Sequence, residues 1–196
     1  MRADAHRNRE RLIQAATELI LEAGAEVPLD SIARRADVGP GTLYRHFPDR
    51  ESLLVAVADH ALERAIDAAQ TALEEATDGY AALRQYMHAA VQHGVGVLNL
   101  IHPMLDSPDW SAQRARMAGP LSTILRQSRD EALIRDDVEA ADIVFAVIRF
   151  SRPVEVGLER AEERALALRH LDIYIDGLGS DMSADRVGRN AASPES

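Results

Sequence analysis

Cysteine is absent from all 196 residues, which removes disulfides, thiolate zinc sites and thiol-based redox sensing from the available chemistry. Lysine is absent as well, so the 22 basic residues are all arginine, a bias that carries no mechanism by itself. Aromatics make up only 4% of a chain that is 46% hydrophobic. Its core must therefore be rich in Ala and Leu, and helix is the natural expectation. No apolar run approaches the ~20 residues of a membrane span. The N-terminus MRADAHRNRERL carries charges where a signal peptide needs an apolar centre, so a cytoplasmic protein without membrane contact is expected. A glycine-rich phosphate loop, a Gly-x-Ser-x-Gly elbow and a Cys nucleophile are all missing, and neither enzyme activity nor a cofactor is expected.

A net charge of -10 argues against nucleic acid as a partner until its distribution is considered. Residues 1–55 hold 8 Arg against 9 acidic residues, whereas residues 56–196 hold 14 against 23. The acidity belongs mainly to the second part. Arg2, Arg7, Arg9, Arg45 and Arg50 on one side of a near-neutral first part are compatible with a duplex, with salt-sensitive non-specific binding. Arg34 and Arg35 read as a solvated helix face.

The stretch from Leu29 to Leu53, LDSIARRADVGPGTLYRHFPDRESL, has the pattern of a helix-turn-helix. Ile32, Ala33 and Ala36 share one face of a first short helix. Asp37-Val38-Gly39 breaks the period, and Pro40 fits the first position of the next helix with Gly39 as N-cap. In that second helix Leu43 and Phe47 face inward with Val38, leaving Thr42, Arg45 and His46 outward and Tyr44 at the flank. Gly41 offers a position where a backbone can approach a duplex closely. The planar fork of Arg45 suits guanine O6 and N7.

GTLYRHFPDRESL, preceded by IARRADVG and an amphipathic helix, resembles the tetracycline-repressor (TetR) family of transcriptional regulators over residues 8–55. The resemblance implies an all-α fold, with an N-terminal three-helix DNA-binding domain followed by a helical ligand-binding and dimerisation domain. It further implies a homodimeric repressor of a near-palindromic operator, released by a small-molecule effector. By the same resemblance Thr42, Tyr44 and His46 contact DNA, mostly phosphates, Arg45 stands at a variable base-reading position, and Arg50 replaces the usual phosphate-holding Lys. Two departures stand out. Asp37 occupies the turn position that is usually Gly, although Asp tolerates a left-handed backbone, and Val27-Pro28-Leu29 replaces the common hydroxyl cap.

The expected division is 1–48 for DNA binding, with a flexible arm at 1–7, then 49–179 for ligand binding and dimerisation, and a disordered tail at 180–196. Before the motif, Leu12, Ala15, Ala16, Leu19, Ile20 and Ala23 recur at helical spacing, with Gly24 at the cap. One long helix is predicted from Asp49 to about Ala76, and a second from Tyr80 towards His102 with Gly94 and Gly96 as weak points in its middle. Pro103, Pro108 and Gly119-Pro120 punctuate shorter elements at 109–118 and 120–132. Two last helices, near 137–150 and 160–177, carry apolar faces expected to form a four-helix dimer interface. These faces are Ala140, Ala141, Val144, Val147 and Ile148 in one helix and Leu166, Leu168, Leu171, Ile173 and Ile175 in the other.

An effector cavity in the second part would draw on a largely apolar set from which His102, Trp110, Met117, Phe145 and Arg149 are the expected ligand contacts. A metal reading of His88, His93, His102 and Asp106 fails on spacing, because residues five apart splay around a helix. The alternative to a regulator is an all-helical small-molecule binder or adaptor with a vestigial DNA motif, and a helical enzyme built on the cavity is a third reading.

Overall fold

The computed structural model describes residues 2–105, 109–154 and 157–180, with the side chains of residues 2, 3 and 109–117 left aside. Among the described residues the regular structure is helical apart from one 3-10 turn at His102–Met104 and an isolated antiparallel bridge between Ile134 and Gly179. The helices are α1 (Arg2–Ala23), α2 (Leu29–Arg35), α3 (Pro40–His46), α4 (Arg50–Glu75), α5 (Gly79–Gln92), α6 (Val97–Ile101), α7 (Asp109–Asp130), α8 (Ala140–Ser151) and α9 (Arg160–Asp176).

Two apolar clusters organise them. The first joins Leu12, Ala16 and Ile20 of α1, Ile32 of α2, Leu43 and Phe47 around α3, and α4 as far as Leu62. It also takes in Val97 and Ile101 of α6. The second begins on α4 at Ala65 and gathers α5, Leu121, Ile124 and Leu125 of α7, Ile143 and Val147 of α8, and Leu171 and Ile175 of α9. The break falls inside one continuous helix, so α4 is a shared wall, and α6 is the piece of the second half that plugs into the first core.

Local chemistry sets the starts of α3, α4 and α5. Asp49 caps α4 through a reciprocal capping box with Ser52, its side chain accepting the Ser52 N–H at 2.8 Å. Asp78 caps α5 by accepting from the Ala81 N–H at 2.8 Å. Pro40 stands at the start of α3 behind an extended Gly39.

The structure corrects the sequence reading at four places. The arm expected at 1–7 is helical from Arg2 onward, supported by an Asp4–Arg7 pair one turn apart and by His6 to Glu10 at 3.1 Å. The helix expected from Tyr80 towards His102 is two helices, because Gly94 takes φ +68 and turns the chain. A Cβ there would come within 3.0 Å of Thr17 and 3.1 Å of Leu21, so the turn lies directly on α1. Conversely, Gly119-Pro120 does not divide α7, which runs through Pro120. Finally, Leu171, Ile175 and Val147, placed at the dimer face from sequence, are 0%, 0% and 3% exposed within the monomer core. The large apolar residues left outside on those helices are Phe145 at 68% and Ile173 at 60%, with Ala140 and Ala141 exposed as well. The tail expected at 180–196 lies outside the described residues from 181 onward.

Candidate nucleic-acid interface

The site is built on α2, the turn 36–39 and α3. α2 ends with the Asp37 N–H donating to the Arg34 carbonyl at 3.1 Å and the Val38 N–H reaching back to the Ala33 carbonyl at 3.0 Å. That pair of bonds is the Schellman arrangement, and its signature residue is left-handed. Asp37 fills it with φ +52, as the sequence reading required of a residue standing where Gly is usual.

Leu43 and Phe47 anchor α3 to the first core at 1% and 2% exposure. The opposite face carries the residues expected to meet DNA. Gly41 and Arg45 are exposed, Tyr44 is 50% exposed, and Thr42 and His46 are half-buried. Arg45 lies along its own helix, Nε donating to the Gly41 carbonyl at 3.1 Å and Nη2 to Thr42 Oγ1 at 2.9 Å. Reading a base would exchange those two local bonds for bonds to the base edge. Arg50 donates through Nη1 to the Ala25 carbonyl at 2.8 Å, which commits one of its five N–H donors and ties the start of α4 to the turn after α1.

Three contacts here were not read from the sequence. Arg11 Nη2 of α1 donates to the Asp37 carbonyl at 3.2 Å and to Asp37 Oδ2 at 3.0 Å. The Arg9 guanidinium sits 5.4 Å over the Phe47 ring. Arg35, taken as a solvated cation, pairs with Glu18 at 3.2 Å and Glu22 at 3.1 Å, and Glu22 also pairs with Arg160 of α9. Burial pushes the Glu22 carboxyl up, and hydrogen bonds from Arg35 and Arg160 outweigh it, leaving the group below its usual range. Partners 26 and 138 residues apart leave no mark in local spacing.

Three of the five expected ligand contacts lie at the surface. His102 and Arg149 are exposed, Phe145 points outward from α8, and the side chains of Trp110 and Met117 lie outside the described residues. A cleft of about 180 Å³ instead runs between α4 and α5, lined by Arg64, Asp67, Thr71, Gln85 and His93 over Ala68 and Ala89. At one end Arg64 Nη2 lies 3.0 Å and 3.1 Å from the two ring nitrogens of His93. Burial, then Arg64, His60 and Arg164, hold the His93 imidazole below its ordinary value. His88 turns elsewhere, its Nε2 2.8 Å from Asp172, which also accepts from Arg84 at 2.5 Å. These bonds fasten α9 to α5.

A short helix presenting polar residues from a packed three-helix unit, behind a Schellman turn, defines a helix-turn-helix DNA-binding protein with a helical second half. Residues 12–57 match the family described as bacterial regulatory proteins, tetR family. The TetR transcription regulatory protein from Mycobacterium vanbaalenii is 32% identical in sequence, with 91% of this chain and 98% of that one covered and a TM-score of 0.57. An HTH-type transcriptional regulator of Staphylococcus aureus is 33% identical over 94 residues, spanning 47% of this chain and 49% of its own length. The chain thus matches about half the length of that curated relative. The regulator LfrR from Mycobacterium smegmatis, solved in complex with proflavine, shares the fold at a TM-score of 0.59 and 23% identity, covering 85% of this chain and 95% of that one. The chain belongs to the TetR family of bacterial regulatory proteins.

Proposed function

We propose that the protein is a cytoplasmic, homodimeric transcriptional repressor without enzymatic activity, whose two α3 helices enter successive major grooves of a near-palindromic operator roughly 34–36 Å apart. The observation that carries this reading is the pairing of a polar, outward α3 face with an apolar, outward α8–α9 face. Gly41, Thr42, Tyr44, Arg45 and His46 project from a helix held by Leu43 and Phe47. Tyr44, Thr42, His46 and Arg50 fix the duplex through its backbone and Arg45 reads a base edge. Phe145 and Ile173, exposed on α8 and α9, are the apolar centre of a self-complementary contact.

A small molecule is the proposed effector, acting on the second core through the shared helix α4. It shifts the spacing of the two α3 helices only in so far as it binds the conformation unsuited to DNA more tightly. The proflavine complex of LfrR supports a small-molecule site in this fold. His102, Trp110, Met117 and Arg149 remain the proposed contacts, whereas Phe145 is better used at the pairing face. DNA binding at 1–48 and effector binding and pairing at 49–179 form the proposed division of labour.

Selection from random duplex DNA at near-physiological salt tests the reading. Enrichment of an inverted repeat is the expected result. A folded dimer that enriches nothing would favour the small-molecule binder with a vestigial motif.

A further inference from the structure

α3 is only seven residues long and has no side-chain cap at its start. A helix that short has little stability of its own, so its aim depends on how its two ends are fastened. The end that follows is held by Phe47, buried in the first core beneath the Arg9 guanidinium. The end that precedes it is the left-handed Asp37, two residues before the Gly39 N-cap. A non-glycine residue there carries a conformational cost that neighbours must offset.

Arg11 is the neighbour that does so. Its Nη2 meets both the backbone carbonyl and the carboxylate of Asp37, so one guanidinium answers the carbonyl that the Schellman turn leaves outward and neutralises the acid. Even with that pair in place the Asp37 side chain is 96% exposed, on the approach to the helix that meets a polyanion. Left unpaired, the carboxylate would repel phosphate.

The geometry points to Arg11 as a positioning residue for operator recognition: it pins the Asp37 turn to α1 and thereby sets the angle at which α3 is presented to DNA. The proposal rests on the DNA-binding reading. It assigns Arg11 a role distinct from phosphate contact, because a residue that aims the recognition helix governs the ratio of operator to random binding, whereas a phosphate cation moves both together.

Arg11→Ala, Asp37→Gly and the double variant test it against a selected operator and a random duplex at fixed salt. An exposed charge-assisted pair supports about a five-fold effect per protomer on the operator. The expected result for Arg11→Ala is that loss, with random-duplex affinity within about two-fold and the helical melting curve still cooperative. Asp37→Gly is expected to retain operator affinity, and the double variant to recover it, since glycine takes a positive φ unaided and the turn no longer depends on the clamp. Equal losses on both duplexes, or a double variant as weak as Arg11→Ala, would overturn the proposal. Failure of the DNA-binding reading would show differently, as an unaltered protein that prefers no sequence.

Discussion

The two halves of the molecule are packed from the same material and leave different surfaces. Around α1–α3 the outward residues are polar or charged and the apolar ones are almost wholly inside, packed with α4 and α6, so the unit offers a face suited to phosphates and base edges. Around α5–α9 the core is equally dry, with Leu83, Met87, Ile143, Leu171 and Ile175 at 0% exposure. Its outer surface nonetheless keeps Phe145 and Ile173 in water. A unit that packs a core of this kind and still exposes a phenylalanine at a helix centre has surface to spend on another chain. On the proposed function the first half is finished by DNA and the second by a copy of itself.

The largest loss is expected at the close approach of α5 to α7. A Cβ on Gly79 would lie 2.4 Å from the Ser128 backbone nitrogen, and backbone cannot step aside cheaply. Gly79→Ala should cost about 3 kcal/mol, read as a large fall in the urea midpoint. An unchanged midpoint would mean that the two helices are further apart than described.

Ile173→Asp and Leu171→Asp separate pairing face from core. Ile173→Asp should give a folded monomer by sedimentation, with operator affinity lowered on the order of 100-fold through loss of the second half-site. Leu171→Asp places a charge in the core and should unfold the second half instead. Should both behave alike, the division between core and face would be wrong.

On the DNA side the effects are smaller. Arg45→Ala should cost about 1–3 kcal/mol on the preferred base and relax its choice. Tyr44→Phe should weaken all sequences nearly uniformly, by about 1 kcal/mol. Competition with singly substituted operators distinguishes the two.

The smallest effect is acid sensitivity at the junction of the halves. His93 is held below its ordinary value of about 6.5, so the folded state resists its protonation. The stability it contributes is full above about pH 6.5 and declines as pH falls through the unfolded value towards the folded one. Glu22, also depressed, adds a second loss below its ordinary value of about 4.5. His93→Gln should flatten the first decline and leave the second in denaturation midpoints taken from about pH 7 to about pH 3.

Legibility followed the same division. The DNA-facing half could be read from the chain because its signals are local. Pro40 starts a helix, Leu43 and Phe47 lie four apart on one face, and Asp37 stands where only a few residue types accept a positive φ. The second half was harder because its boundaries depend on distant partners. Gly94 and Gly96 were visible as weak points, but only the approach of Thr17 and Leu21 makes residue 94 a turn. Gly119-Pro120 looked like a break, yet α7 continues through it. Leu171 and Ile173 are equally apolar on paper, and only the position of α5 decides which of them is inside. Asp37 stood out in the sequence, and its pairing with Arg11 did not.

Operator recognition as proposed requires two α3 helices held at a fixed separation by the α8–α9 face. The most direct measurement is the affinity for the selected operator before and after five base pairs, about half a helical turn, are inserted between its half-sites. The account predicts that affinity collapses to that of a single half-site, because the second α3 then faces the wrong side of the duplex. Undiminished binding to the lengthened site would contradict it.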